Sequence, residues 1–235
     1  MFTVPPCLLS EGTAPPPPGP LTYIGVASTA SATNQTDIVV AKPVGTLDGD
    51  LMVAIINLGG NAALGSPPLG WTHLGASPSK VALDVYWSSV VVQAKIASSE
   101  PTDYTWSRDV PLFDSITGAI LTFRNARIVP DFITMPADYV RYYPSDIVYT
   151  GVDALSSIYV LASAGFHRSV TFPYFYASAG GGCFTRAQYN STNGGQLHVQ
   201  TCTAVAPGPV GKTLELAVAS SWLPRHFITL GLRAA

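Results

Sequence analysis

Gly49-Asp50-Leu51-Met52-Val53-Ala54-Ile55-Ile56 is an unbroken apolar run set behind a turn dipeptide. Glycine tolerates positive φ, so Gly49-Asp50 supplies a turn that starts the run. A continuously apolar stretch of this length, with no polar face, reads as a central strand buried on both sides. Near the other end of the chain, Thr213-Leu-Glu-Leu-Ala-Val-Ala-Ser220 alternates, with Leu214, Leu216 and Val218 on one parity, which is the half-buried strand pattern. Around and between these two the chain repeats strand-like runs separated by turn residues. They are 21–27, 36–41, 71–76, 81–92, 104–106 and 115–124, then 146–149, 156–163, 169–172, 183–189, 197–203 and 226–232. No window of a dozen residues carries a capped 3.6-residue apolar period, so the expected class is all-β.

The 235 residues fit one large or two small domains and can bury a core without metal or disulfide. Twelve basic and fourteen acidic residues give a net charge of −2, and the basic residues are scattered singly. That leaves no positive footprint for nucleic acid. Only 11% of residues are charged, against about 25% in ordinary soluble domains. Such a surface suits a protein covered by neighbours or working outside the cell; the plainer reading is a β-protein from a low-lysine proteome. No apolar segment is long enough to cross a membrane as a helix. Met1-Phe-Thr-Val-Pro-Pro-Cys7 has neither the basic nor the apolar region of a signal peptide. The expectation is synthesis in a host cytoplasm and, if the protein works outside, release by lysis.

Residues 1–20 form a separate arm with seven prolines and short apolar patches at Met1-Phe2 and Cys7-Leu8-Leu9. Five prolines fall within positions 15–20, which favours a stiff polyproline II strut holding Phe2, Cys7, Leu8 and Leu9 out for contact with a neighbour. The remainder, 21–235, divides into loosely similar halves at 21–126 and 145–235 around a Pro- and Tyr-containing crossover, 127–144. Gly49–Ile56 is echoed by Ala154–Leu161, and Ile116–Phe123 by Arg225–Leu232. Two halves packed face to face make an antiparallel β-sandwich or jelly roll; two separate small sandwiches are the alternative.

Several stretches of the first half resemble a domain of tailed-bacteriophage virion proteins and bacterial surface proteins. They are Lys42-Pro43 with Gly45, Gly49-Asp-Leu-Met-Val-Ala54, Pro67-Pro-Leu-Gly-Trp-Thr72, Val85-Tyr-Trp87, Ser99-Glu-Pro101 with Tyr104-Thr-Trp106, and Gly118-Ala-Ile120 running to Phe123-Arg124. The resemblance covers roughly 22–126 and implies an all-β, non-catalytic scaffold, leaving function open. Pro67–Gly70 ends a loop that delivers Trp71 into the sheet. Tyr86, Trp87, Tyr104 and Trp106 suit cross-strand aromatic pairs. Core packing is the favoured role of Trp71, Trp87 and Trp106 over sugar stacking. Tyr139, Tyr142 and Tyr143 of the crossover, with Tyr174 and Tyr176 of Phe172-Pro-Tyr-Phe-Tyr176, are the candidate interface or ligand aromatics.

Catalytic patterns are missing from the sequence. No Gly-x-Ser-x-Gly elbow occurs, and Gly180-Gly-Gly182 lacks the Lys-Ser/Thr sequel of a phosphate loop. His73, His167, His198 and His226 lie without ligand spacing, so no metal or cofactor is expected. Glu100 before a proline reads as a turn residue and Glu215 as the outward residue of a strand, which leaves no carboxylate pair for glycoside hydrolysis. Asp48-Gly49-Asp50 reads as a turn rather than a calcium loop. Cys183 and Cys202 are symmetric about the turn sequence Asn190-Ser-Thr-Asn-Gly-Gly195. A simple hairpin joining them pairs 189 with 196 and makes them either a cross-strand disulfide or two buried thiols. Cys7 is left over.

The function expected from these features is non-enzymatic: a homo-oligomeric virion protein, a trimer being the usual state of such parts, decorating a capsid or belonging to a head or tail fibre. Its partners are then other virion proteins, reached through the arm. The alternative is a receptor- or glycan-binding module for host attachment.

Overall fold

The computed structural model describes residues 19–32, 34–59, 63–75, 79–83, 86–109, 115–134, 137–140, 147–149, 158–166, 175–178, 183–190, 195–203, 212–216 and 223–235. Among them every regular element is a strand. The first eight are β1 (Thr22–Ala30), β2 (Asp37–Ala41), β3 (Leu51–Gly59), β4 (Thr72–His73), β5 (Ser79–Leu83), β6 (Tyr86–Ile96), β7 (Asp103–Ser107) and β8 (Ile116–Arg124). There follow β9 (Ala126–Thr134), β10 (Ala137–Val140), β11 (Ile147–Tyr149), β12 (Ile158–Phe166) and β13 (Phe175–Ser178). The last four are β14 (Cys183–Asn190), β15 (Gly195–Thr203), β16 (Lys212–Leu216) and β17 (Leu223–Ala234).

Pairing is antiparallel throughout. One six-stranded sheet runs β1-β8-β3-β6-β4, with β5 also on β6. A second runs β10-β17-β12-β15-β14, with β9 also on β17. Two smaller sheets are β2-β7 and β11-β16-β13.

The quoted run explains how the layers stack. Leu51, Val53 and Ile55 point into a core shared with the second sheet, where they meet Val160, Ala162, Leu197, Val199 and Leu230. Met52, Ala54 and Ile56 point the other way, into a core closed by Ile38 and Val40 of β2 and Tyr104 and Trp106 of β7. No residue from Leu51 to Ile56 is more than 2% exposed. A strand covered on both faces has no polar side to show, which is why its sequence does not alternate. β2 and β7 are covered on one face only and do alternate, with Ile38, Val40, Tyr104 and Trp106 turned inward. Gly118 in β8 lets β2 come this close: a Cβ there would lie 2.8 Å from Ile56 Cδ1 and 3.2 Å from Ile38 Cδ1.

The second large sheet repeats the strand order of the first. β12 lies between β15 and β17 as β3 lies between β6 and β8. Leu51 pairs with Ile96 and Phe123, and Ile158 pairs with Thr203 and Leu232. On the outer side, Tyr23 of β1 pairs with Phe123 and Ile128 of β9 pairs with Leu232; a bulge follows each. β1 faces β14, β8 faces β15, β6 faces β17 and β5 faces β10. Exchanging counterparts, with β1 matched to β9–β10 and β4–β5 to β14, returns these four facing pairs, as an approximate two-fold relation requires; β5 also faces β17, a contact without an equally close counterpart between β14 and β8.

Three expectations need correction. Much of 127–144, expected as a crossover, is β9 and β10, both laid against β17. Its prolines suggested a connection, but Pro130 falls where the ladder skips from Ile128 to Ile133, a bulge that needs no N–H. Residues 81–92, expected as one strand, are instead parts of β5 and β6, paired through Leu83 and Tyr86. The echo of Gly49–Ile56 is displaced by two residues, since Leu51 rather than Val53 is the counterpart of Ile158. A slip of two keeps every side chain on its face, so alternation alone does not detect it.

Candidate functional site

The first-half aromatics form a buried cluster under β2-β7. Trp71, Tyr104 and Trp106 are 3%, 4% and 0% exposed. Trp71 meets Tyr104 edge-on at 5.2 Å and Trp106 at 5.5 Å between ring centroids. The loop 67–70 does deliver Trp71: its N–H donates to Pro68 O at 3.1 Å, and Lys95 Nζ donates to Leu69 O at 3.1 Å. Trp106 Nε1 donates to Gln93 Oε1 at 2.8 Å. Rings packed this way hold layers together and present no face to a sugar. Trp87 lies in β6 opposite Ala82; its side chain is outside the described part.

Glu100 sits at the rim of this cluster and does more than turn the chain. Its carboxylate accepts the Ser98 N–H at 2.7 Å, pairs with Lys95 Nζ at 2.7 Å and accepts the Tyr104 hydroxyl. Burial works to raise the Glu100 carboxyl, but the bonds from Lys95, Tyr104 and Ser98 outweigh it and hold the group below the usual carboxylate range. Burial first, then the adjoining carboxylate, pushes the Tyr104 phenol up. A carboxylate so satisfied is a poor proton acceptor. The spacing Lys95, Glu100, Tyr104 across a turn was its only sequence signal.

Asp48-Gly49-Asp50 is likewise occupied with backbone. Asp48 Oδ1 accepts the Ser99 N–H at 2.8 Å, and Asp50 Oδ2 accepts the Leu47 N–H at 2.9 Å. Gly49 adopts φ +90°, as the turn requires. Asp50 is 2% exposed and binds Arg124 through Nε at 3.0 Å and a terminal nitrogen at 2.9 Å. Arg124 also donates to Gly45 O at 3.0 Å, so one guanidinium ties β8 to the turn before β3. No group of three or more His, Cys, Asp and Glu able to hold a metal occurs among the described residues.

In the second half, Cys183 is the ladder partner of Cys202, and Cys202 is disulfide-bonded. The register beyond the cysteines departs from the simple hairpin. A bulge between Thr185 and Ala187 makes Tyr189 pair with Leu197 and Asn190 with Gln196. On the same face as Cys202 lies His198, 2% exposed, with Nε2 3.3 Å from Thr185 Oγ1. Burial lowers this ring to about 4, so it is neutral at physiological pH.

The remaining candidates divide by location. Tyr139 in β10 pairs with Pro224, and Tyr176 in β13 pairs with Glu215. Tyr142, Tyr143, Tyr174, Phe2, Cys7, Leu8, Leu9 and His167 lie outside the described residues. Of residues 1–20 only Gly19 and Pro20 are described, and Pro20 O accepts Asn125 Nδ2 at 3.2 Å and Thr22 Oγ1 at 3.0 Å. No helix among the described residues is long and apolar enough to cross a membrane. Comparison with protein-family models, curated proteins and solved structures returns no match.

Proposed function

We propose that the chain is a non-enzymatic structural protein of a tailed-phage virion, displayed on the particle and attached through its N-terminal arm. In this reading residues 21–235 are an antiparallel β-sandwich or jelly roll built from two similar halves. Cys183 and Cys202 form a disulfide that staples the β14–β15 hairpin and leaves Cys7 free. The observation that carries the reading is the employment of the polar groups. Asp48, Asp50, Glu100 and Arg124 spend their bonding capacity on turns and layer contacts. What supports a crowded, assembled setting is the 11% charged fraction together with the Pro-rich arm.

The test is recovery of the protein in density-purified particles, located by labelled antibody. Stoichiometric presence on capsid or tail is the expected result. Absence from particles combined with saturable binding to host surface polysaccharide would replace this reading with a receptor-binding module.

A further inference from the structure

A pocket of about 240 Å³ opens at the seam between the two large sheets, where β4 and β6 approach β9. Thr72, Leu74, Ala94 and Ile128 contribute to its largely apolar wall, and Lys95 and Arg127 bring cations to it. The two-fold relation supplies a comparison, because the same seam occurs again between β14, β15 and β1. Ladder partners identify the counterparts. Thr72 pairs with Ala94, and Phe184 pairs with Thr201 at the equivalent step. Tyr23 stands for Ile128, and the bulge residue Arg186 stands near the place of Leu74.

The second seam is plugged from within. The Arg186 guanidinium lies 3.8 Å from the centroid of the Tyr23 ring and 5.0 Å from that of Phe184. Its Nε donates to Thr201 Oγ1 at 2.6 Å. Thr, Leu and Ile at the first seam are smaller than Phe, Arg and Tyr at the second, and the difference in bulk leaves the pocket open.

The size selects the occupant. Small-molecule sites run from about 300 to 1,000 Å³, so this pocket fits one or two apolar side chains better than a whole ligand. The arm leaves the fold beside it: Pro20 is held by Asn125, and Ala126 and Arg127 belong to the pocket wall. Leu8 and Leu9 are followed at 11 by glutamate, the arm's one charged side chain. Its negative charge complements the Arg127 cation at the pocket wall. Four consecutive prolines at 15–18 favour polyproline II, which over four residues would span about 12 Å and carry the tip away from its own base.

We propose that the pocket receives Leu8-Leu9 from the arm of a second copy of this chain, Glu11 meeting Arg127. The proposal rests on the arm acting as an attachment device and names what it attaches to. The natural Cys7, next to Leu8, provides the probe. Full-length protein carrying Thr72→Cys, mildly oxidised at assembly concentrations, forms a Cys7-to-72 link between chains, seen on a non-reducing gel and mapped by mass spectrometry. Thr105→Cys, on the exposed face of β7, is the control and does not link. Adding Ile128→Tyr to Thr72→Cys, to mimic the plugged seam, lowers the yield about tenfold, which corresponds to about 1.4 kcal/mol of docking energy; a circular dichroism spectrum like that of the parent checks the fold. A link within one chain, equal linking of the control, or no effect of Ile128→Tyr overturns the proposal. If residues 1–20 nevertheless prove necessary for joining particles, the attachment reading survives and only this docking site falls.

Discussion

Asp50 and His198 are buried for opposite purposes, and solution conditions separate them. Asp50 compensates its burial with Arg124 and the Leu47 N–H. Replacing it with alanine removes one partner of a buried pair, and chemical denaturation of Asp50→Ala is expected to show a loss of about 3 kcal/mol. The figure sits at the low end for such pairs because the Arg124 side chain keeps 37% of its exposure and stays solvated. For His198, burial is what disfavours the charged ring. The unfolded chain protonates this ring near 6.5 and the folded chain near 4, so the folded state binds fewer protons between those values. Stability therefore falls as pH drops from about 6.5 to about 4, by as much as about 3 kcal/mol. Glu100 extends the loss. Its folded value is depressed, so its contribution is present above the ordinary carboxyl range and disappears as pH falls through the lowered value. Urea midpoints at several pH values, compared between parent and His198→Gln, should show the upper part of this slope flattened in the variant. None of this was legible beforehand, because burial of His198 follows from which face of β15 is covered, not from its neighbours in sequence.

Among the strands, how much the sequence disclosed depended on whether covering was symmetric. β3 announced itself because both faces are covered. β2 and β7 alternate because one face is, and Ile38, Val40, Tyr104 and Trp106 then follow by parity. β9 and β10 went unrecognised because proline carries its usual meaning of a break, and only a bulge on a paired strand tolerates it. The bulge at Arg186 is equally silent, yet one extra residue moves that side chain onto Tyr23 and shifts the register of the whole hairpin beyond it. Gly118 tests the close approach of β2 to β8. Gly118→Val inserts methyl groups against Ile56, Ile38 and Val40, and denaturation should show a loss of about 1–3 kcal/mol from overpacking. A comparable loss, about 1–3 kcal/mol, is expected for Trp106→Phe, which keeps a ring in the cluster and loses the bond to Gln93, with a far-ultraviolet circular dichroism spectrum like that of the parent. If Gly118→Val proves neutral, the layer of β2 and β7 is more loosely seated than these distances imply.

For the molecule as a whole, the repeated strand order and the shared core describe two sheets packed on each other, with a pocket open at one seam. The all-β character could be read from periodicity alone. The candidate site could not, since it arises from three positions at which one half carries smaller residues than the other. What the body does is argued from how its polar groups are used and from the arm, so the arm is where the reading stands or falls. The decisive measurement compares full-length protein with a chain lacking residues 1–20 for rebinding to particles stripped of it, quantified by sedimentation. The truncated chain should keep the full-length unfolding midpoint and lose particle binding. A truncated chain that is folded and binds particles as well as the parent would contradict attachment through the arm.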